Sequence, residues 1–447
     1  MLTILGQSIG GFCDRVNRRS FLRIGTLATG AASLNLADVF RAEAGQPGKR
    51  HKSVINIFLA GGPPHQDLWD LKPQAPSEIR GEFSPIETKV PGIQICEVFP
   101  QIASVMDKCA IIRSITGATG QHDAWQCLTG WPARDLQFLG GHPSIGAVAS
   151  KVLGPVDPSL PAFVGLAEKT AHVPWSDPGA AGFLGQAWGC FRPEGPGLAD
   201  MQLNGITVEH LDDRKRLLSS FDRMRREADS NGMMNGIDSF NQLAFNVLTS
   251  SRLLEALDLS KEPAEVRARY GDGKPYKYQY DGAPTVNEQL LLARRLVEAG
   301  VRCVTLSYGR WDSHSQNFDL VRDHGAKLDQ CLSALIEDLD VRGMLKDVTV
   351  IAWGEFGRSP QINKDAGRDH WPKVSCAILA GGGMATGQVI GQTSRWGEVV
   401  EQRPVDFQEV IATLYNNLGV NPDSRPIVDQ AGRPQPLVEK EMIRELV

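Results

Sequence analysis

Short runs of apolar, often β-branched residues recur along the chain, each closed by glycine or polar residues. Val54–Ala60 stops at Gly61-Gly62-Pro63-Pro64, and Cys109–Ile115, Val301–Tyr308, Val348–Trp353 and Ser375–Ala380 have the same character. Continuous runs of this kind are strands covered on both faces. Between them the apolar period lengthens to that of a helix. Asn287–Ala299 carries Leu290, Leu291, Ala293, Leu296 and Val297 and ends at Gly300. Asp323–Val341 places Leu328, Cys331, Leu332, Leu335, Ile336 and Leu339 on one stripe, and Phe407–Leu418 stops at Gly419 with Pro422 beyond. The alternation predicts an α/β fold, a mainly parallel sheet with helices on both faces. Residues from about 187 to 283 break the pattern. Leu211–Ala228 is highly charged and helical, and Pro275–Gly282 is rich in Tyr and Lys, so this stretch reads as a helical insertion or cap on the sheet.

The N-terminus has a different signature. Asn17-Arg18-Arg19-Ser20-Phe21-Leu22-Arg23 is a twin-arginine motif, followed by the weakly hydrophobic, small-residue stretch Ile24–Leu34 and by Ala42-Glu43-Ala44, an A-x-A cleavage site. Residues 1–44 therefore read as an export signal handed to the twin-arginine translocase, and 45–447 as the mature chain working in the periplasm or otherwise outside the cytoplasm. The apolar stretch is too short for a comfortable membrane span, and no later run is longer. Twin-arginine export resembles a route for proteins that fold before crossing, often around a cofactor, which favours a metal.

Composition narrows the partners. The 447 residues are 42% hydrophobic and 22% charged, ordinary globular values that allow one large domain with insertions. The formal charge of -5 falls to -7 once the first 44 residues, with five Arg and three acidic residues, are removed. A mildly acidic protein is a poor binder of nucleic acid or anionic membrane, although a local metal can still attract a small anion. Seven of the eight Cys follow the signal, none in a C-x-x-C pair, which argues against a zinc–cysteine cluster.

In open parallel sheets ligands bind beyond the C-terminal ends of the strands. Four strand ends here are followed by polar clusters. They are His65-Gln66-Asp67 with Asp70, Thr119 with His122-Asp123, Trp311-Asp312-Ser313-His314, and Gly354-Glu355-Phe356-Gly357-Arg358 with Arg368-Asp369-His370-Trp371. Five of the nine His (His65, His122, His314, His324 and His370) lie in or near these loops. Mixed imidazole and carboxylate suits a divalent metal, with zinc first and manganese, iron or calcium as alternatives. Arg358 can grip phosphate or sulfate oxygens bidentately, or pair with a carboxylate. Trp311 and Trp371 read as packing walls, and Gly381-Gly382-Gly383 as a tight strand exit.

These residues carry a resemblance. With the Arg18-Arg19 signal, Gly61-Gly62-Pro63-Pro64-His65-Gln66-Asp67, Leu128-Thr129-Gly130, Trp311-Asp312-Ser313-His314, Gly354-Glu355-Phe356-Gly357-Arg358 and Asp369-His370-Trp371, the chain resembles the exported domain-of-unknown-function family 1501, related to the alkaline phosphatase and sulfatase superfamily. The resemblance implies that fold, and two metals about 4 Å apart that clamp a phosphoryl or sulfuryl group. It implies that Asp312, His314 and His370 are ligands of the first metal, that Glu355 replaces the carboxylate of an Asp-His-Gly motif, and that Asp67 is the carboxylate after the first strand. The His of that motif is missing, and His122 can replace it from another strand. The Cys-x-Pro-x-Arg signature of sulfatases is absent, which excludes a formylglycine sulfatase. Thr119 stands beside the position of the nucleophile, and Arg358 would steady the leaving anion. The implied function is metal-dependent hydrolysis of phosphate or sulfate esters, in a small anionic ester or a sulfated or phosphorylated glycan. The alternative is a non-catalytic envelope protein of the same fold that binds an anionic glycan or a protein partner.

If the twin-arginine reading holds, replacing Arg18 and Arg19 together by Lys blocks export. Cell fractionation checks it, and normal periplasmic levels of the double variant would overturn the assignment.

Overall fold

The computed structural model describes residues 51–193, 251–274, 282–422 and 427–447. The export signal, the charged stretch Leu211–Ala228 and residues 275–281 lie outside them.

Eight strands build the central sheet. They are β1 (Ser53–Phe58), β2 (Cys109–Thr116), β3 (Phe163–Gly165), β4 (Cys303–Ser307), β5 (Val348–Trp353), β6 (Ser375–Gly381), β7 (Gln388–Ile390) and β8 (Val405–Asp406). The order is β7-β2-β6-β5-β1-β4-β3, with β8 also paired to β2. β1 lies between β4 and β5 and is parallel to both, with Ile57 opposite Leu306 on one side and Ala352 on the other. The predicted strand at 375 is present but runs antiparallel to β5 and β2. Its glycine exit therefore lies at the sheet edge away from the loops that follow β1, β4 and β5. The backbone there passes very close to β5, since a Cβ on Gly382 would meet Thr349 Oγ1 at 2.1 Å.

Side chains of β1 alternate between two cores. Ile55 and Ile57 join α4 (Asn287–Ala299) and α5 (Asn317–Val341) on one face. Val54 and Phe58 join α3 (Ile145–Val152) and α6 (Phe407–Leu418) on the other. All six β1 residues are buried, as a central parallel strand requires. Asn56, the one amide among them, is satisfied within the core. It donates to Cys127 O at 2.9 Å and accepts from Trp353 Nε1 at 2.9 Å. The periodic helices appear at the expected positions, and α5 begins six residues earlier than the apolar stripe indicated. α6 opens with a capping box, Asp406 with Glu409, and closes on Gly419 in the left-handed region. No helix among the described residues is long and apolar enough to cross a membrane.

In the stretch read as an insertion, Arg252–Leu257 and Ala264–Tyr270 are short helices whose Leu253, Ala256 and Tyr270 enter the α4–α5 core. A buried ion network fastens them. Arg294 on α4 has no exposed surface and pairs with Glu262 at 2.8 Å and Asp338 at 2.9 Å. The Tyr270 hydroxyl donates to Asp338 at 3.1 Å. Arg294→Met leaves two carboxylates short of a buried partner and is expected to destabilise the fold by about 3 kcal/mol, read as a lower denaturant midpoint with unchanged slope.

Candidate metal centre

The loop after β1 turns on two glycines that no other residue could replace. Gly61 (φ +103°) and Gly62 (φ +77°) both adopt the left-handed region. A Cβ on Gly61 would meet Asp312 N at 2.6 Å, and one on Gly62 the Phe356 ring at 2.6 Å. The turn aims both backbone N–H groups at Glu355, which accepts from Gly61 at 3.0 Å and Gly62 at 3.1 Å. After β4 the chain is tied to the same loop by Trp311 N donating to Ala60 O at 2.7 Å, which places Asp312 over the sheet edge. After β5 it turns through Gly354-Glu355-Phe356. Gly357-Arg358 then forms a two-residue antiparallel ladder with His370-Trp371, in which His370 is opposite Arg358.

Four side chains converge there. The Nε2 atoms of His122, His314 and His370 lie 3.4, 3.2 and 3.4 Å from Asp312 Oδ1. His314 Nε2 is 3.0 Å from His370 Nε2. All four ligand atoms lie within 4.8 Å of one another. Four N and O ligands each about 2.0–2.1 Å from a shared tetrahedral centre stand about 3.3 Å apart, so these edges fit a small divalent ion. Two imidazoles are also held from behind. His122 Nδ1 is 3.0 Å from Glu355 Oε1, and His314 Nδ1 is 2.9 Å from Asp369 Oδ1. A carboxylate accepting the Nδ1 proton leaves the Nε2 lone pair toward the centre, the usual support of a metal-bound imidazole.

The other sequence candidates fall elsewhere. Glu355, which the resemblance gave as a ligand, stands outside the group. Its oxygens are taken by two backbone N–H groups and by His122, so it holds His122 from behind. Asp67 is fully buried and lies outside the group. Arg368 grips both its oxygens, at 2.6 and 3.0 Å, and Asn317 donates to it at 2.8 Å. Arg358, expected to steady a leaving anion, has no exposed surface and spends all three guanidinium nitrogens internally. They donate to Gly62 O, Arg368 O, Gly61 O and, at 2.5 Å, to Asp312 Oδ1. Thr119 is on the exposed loop before His122, and its backbone N–H donates to Gln126 Oε1 at 2.9 Å. His65 is buried and bonds Gly397 O, and burial lowers its pKa to about 4. Among the described residues only one group could hold a metal, where the resemblance implied two sites.

Two residues of the site escaped the sequence reading. Trp175 packs edge-on against His122 at 5.2 Å between centroids, and His172 Nε2 lies 3.2 Å from His122 O. They follow β3, whose three residues are too short to register as an apolar run. No strand end therefore pointed to this loop.

Residues 51–447 match the model of the family described as "Protein of unknown function (DUF1501)". The chain belongs to that family. No curated protein matches it. Among solved structures, the PsFucS1 sulfatase from Pseudoalteromonas sp. is 13% identical, with a TM-score of 0.37 over 92% of this chain and 78% of that one. The lipoteichoic acid synthase LtaP from Listeria monocytogenes is 10% identical, with a TM-score of 0.34 over 88% and 79%. Ps i-CgsB in complex with k-i-k-neocarrahexaose is 10% identical, with a TM-score of 0.32 over 86% and 75%.

Charge within the cluster is unevenly held. Burial opposes ionisation of Asp312, but hydrogen bonds from His122 and His370 and the Arg358 guanidinium outweigh it and hold the carboxyl well below the usual carboxylate range. Burial also disfavours the His122 imidazolium, yet hydrogen bonds to Asp312 and Glu355 prevail and raise its pKa from 6.5 to about 9. In metal-free protein, His122 therefore contributes stability that is fully present below about pH 6.5 and is lost as pH rises through about 9. NMR titration of metal-free protein is expected to give a His122 midpoint near 9, falling toward 6.5 in Glu355→Gln. An unchanged midpoint would remove Glu355 as its partner.

Proposed function

We propose that the chain is an exported hydrolase of phosphate or sulfate esters that works with one divalent metal held by His122, Asp312, His314 and His370. The observation that carries the reading is the set of near-tetrahedral edges around Asp312 Oδ1, backed by carboxylates on two of the three imidazoles. Three imidazoles and one carboxylate are donors for zinc, and also for manganese or iron. They are poor donors for calcium, which takes six to eight oxygens. Such an ion would supply Lewis acidity toward an anionic ester oxygen.

The chain's own residues do the rest. Arg358 and the imidazoles keep Asp312 ionised, Glu355 and Asp369 fix the ring orientations of His122 and His314, and Trp175 and Phe356 wall the inner side against water. His314 and His370 are the more open members, so substrate approaches from their side. The attacking oxygen is that of a solvent water, which breaks the ester bond and leaves the free alcohol and the inorganic anion. Thr119, the nucleophile that the resemblance implied, stands on the exposed loop before His122 with its backbone bonded to Gln126, and nothing brings its hydroxyl to the cluster. The substrate is a small anionic ester or a sulfated or phosphorylated glycan met outside the cytoplasm, after export by the twin-arginine translocase. The second reading, a non-catalytic envelope protein that binds an anionic glycan or a protein partner, draws support from Arg358, whose internal bonding leaves the expected anion clamp unfilled.

Metal analysis and hydrolysis of 4-nitrophenyl phosphate and sulfate on protein purified from the periplasm test both. The enzyme reading expects about one ion per chain, removed by chelation, with hydrolysis abolished in His314→Ala. Metal without hydrolysis of either ester favours the binding protein, and failure to bind zinc, manganese or iron rejects the site.

A further inference from the structure

Three of the four converging residues are tied to other segments through their own backbone surroundings. Asp312 follows a residue bonded to Ala60. His370 sits in the ladder with Arg358. The His314 turn is gripped by Arg368 N on Ser313 O at 2.8 Å and by Asn363 Nδ2 on His314 O at 2.9 Å. His122 is different. It lies on the irregular loop between β2 and α2 (Trp125–Thr129), where, apart from the contacts of the His122 ring with Glu355 and Asp312, the hydrogen bonds of Gln126 and Asp123 are local. Gln126 spans Gly117 and Thr119, and Asp123 Oδ1 accepts from Trp125 N.

We infer that His172 is a positioning residue that sets the place of His122 in the metal centre. Among the described hydrogen bonds, the one that ties the His122 backbone to another element runs from His172 Nε2 to His122 O, at 3.2 Å. A carbonyl only accepts, so the proton of His172 is on Nε2. The rings meet edge to face with centroids 5.8 Å apart. His172 is itself anchored. Its carbonyl accepts from Thr170 Oγ1 at 2.7 Å and from Trp175 N at 3.0 Å, and its ring packs on Trp175 at 4.4 Å. Two β4 hydroxyls then bind this strap to the sheet, Ser307 Oγ to Trp175 O at 2.5 Å and Thr305 Oγ1 to Pro178 O at 2.6 Å. β4 also delivers Asp312. The strap therefore references His122 to the same strand as the carboxylate it must meet. Glu355 fixes how the ring is turned, and His172 fixes where the loop that carries it stands.

The inference rests on the metal reading, and the test separates the two. Zinc affinity is measured by competition with a chelator on wild type, His172→Ala and His172→Gln, together with the His122 ring resonances in metal-free protein. Gln places an amide donor where His172 Nε2 stood. Removing support behind a ligand weakens metal binding roughly tenfold or more, so His172→Ala is expected to lose at least about tenfold and His172→Gln to recover most of it. In metal-free protein, His122 resonances broaden in the Ala variant and sharpen again in the Gln variant. A general loss of stability would not be restored by Gln in this selective way. Zinc affinity equal in all three proteins, with unchanged His122 resonances, overturns the role of His172. A wild type that takes no zinc defeats the metal reading, and the resonances then decide the positioning claim alone.

Discussion

Asp312 stands where the loops after β1, β2, β4 and β5 meet, and its carboxylate must be satisfied by groups from several of them at once. A largely buried carboxylate without partners would be costly or would take up a proton. Here it is paired from two directions. Arg358 meets Oδ1 from inside the protein, and three imidazoles meet the same oxygen from the open side. The inner contact fixes the carboxylate without exposing it, so the outer approach stays free for positively polarised ligands. The need for close backbone approach at Gly61, 2.6 Å from Asp312 N for a hypothetical Cβ, follows from the same crowding. A bulkier residue there would push apart the very loops that the charge draws together.

The two interior arginines of the loop after β5 share this work. Arg358 joins that loop to the turn after β1 and to Asp312. Arg368 joins it to Asp67 on α1 (His65–Leu68) and to the carbonyls of Ser359, Pro360 and Ile79. Burying an ion pair brings little net stability, because desolvation offsets most of the attraction. What these pairs supply is registration. Removing either guanidinium would leave a carboxylate short of its arginine partner, so alternative placements of the loop are penalised. His370 follows Arg368 by two residues and faces Arg358 across the ladder, and is thereby held between both fixed points.

The fold was largely legible because its longer strands are mostly apolar and its helices periodic, while the short strands β3, β7 and β8 gave no signal. Phe407–Leu418 could be read to the residue from Gly419, and Asn287–Ala299 from Gly300. The antiparallel course of β6 was not, since an apolar run looks the same in either direction. The site was half legible. Its histidines follow recognisable strands, and the sheet topology gathers them. Roles were harder. Arg358 and Asp67 have the chemistry of an anion clamp and a ligand, and only burial shows that each is spent on an internal partner. His172 follows a strand of three residues, too short to give a periodic signal.

The place of Glu355 follows from the glycine turn that it faces. Its neighbour Phe356 turns its ring toward His122 and His370, at 5.2 and 4.6 Å between centroids, where it can pack but not bind. Glu355 is left facing a glycine turn whose two N–H groups stabilise it as an anion, and from there it reaches His122 Nδ1. The imidazole from the loop after β2 is thus held from behind by the carboxylate of the loop after β5. Among the described residues this arrangement brings three imidazoles and one carboxylate into a single cluster.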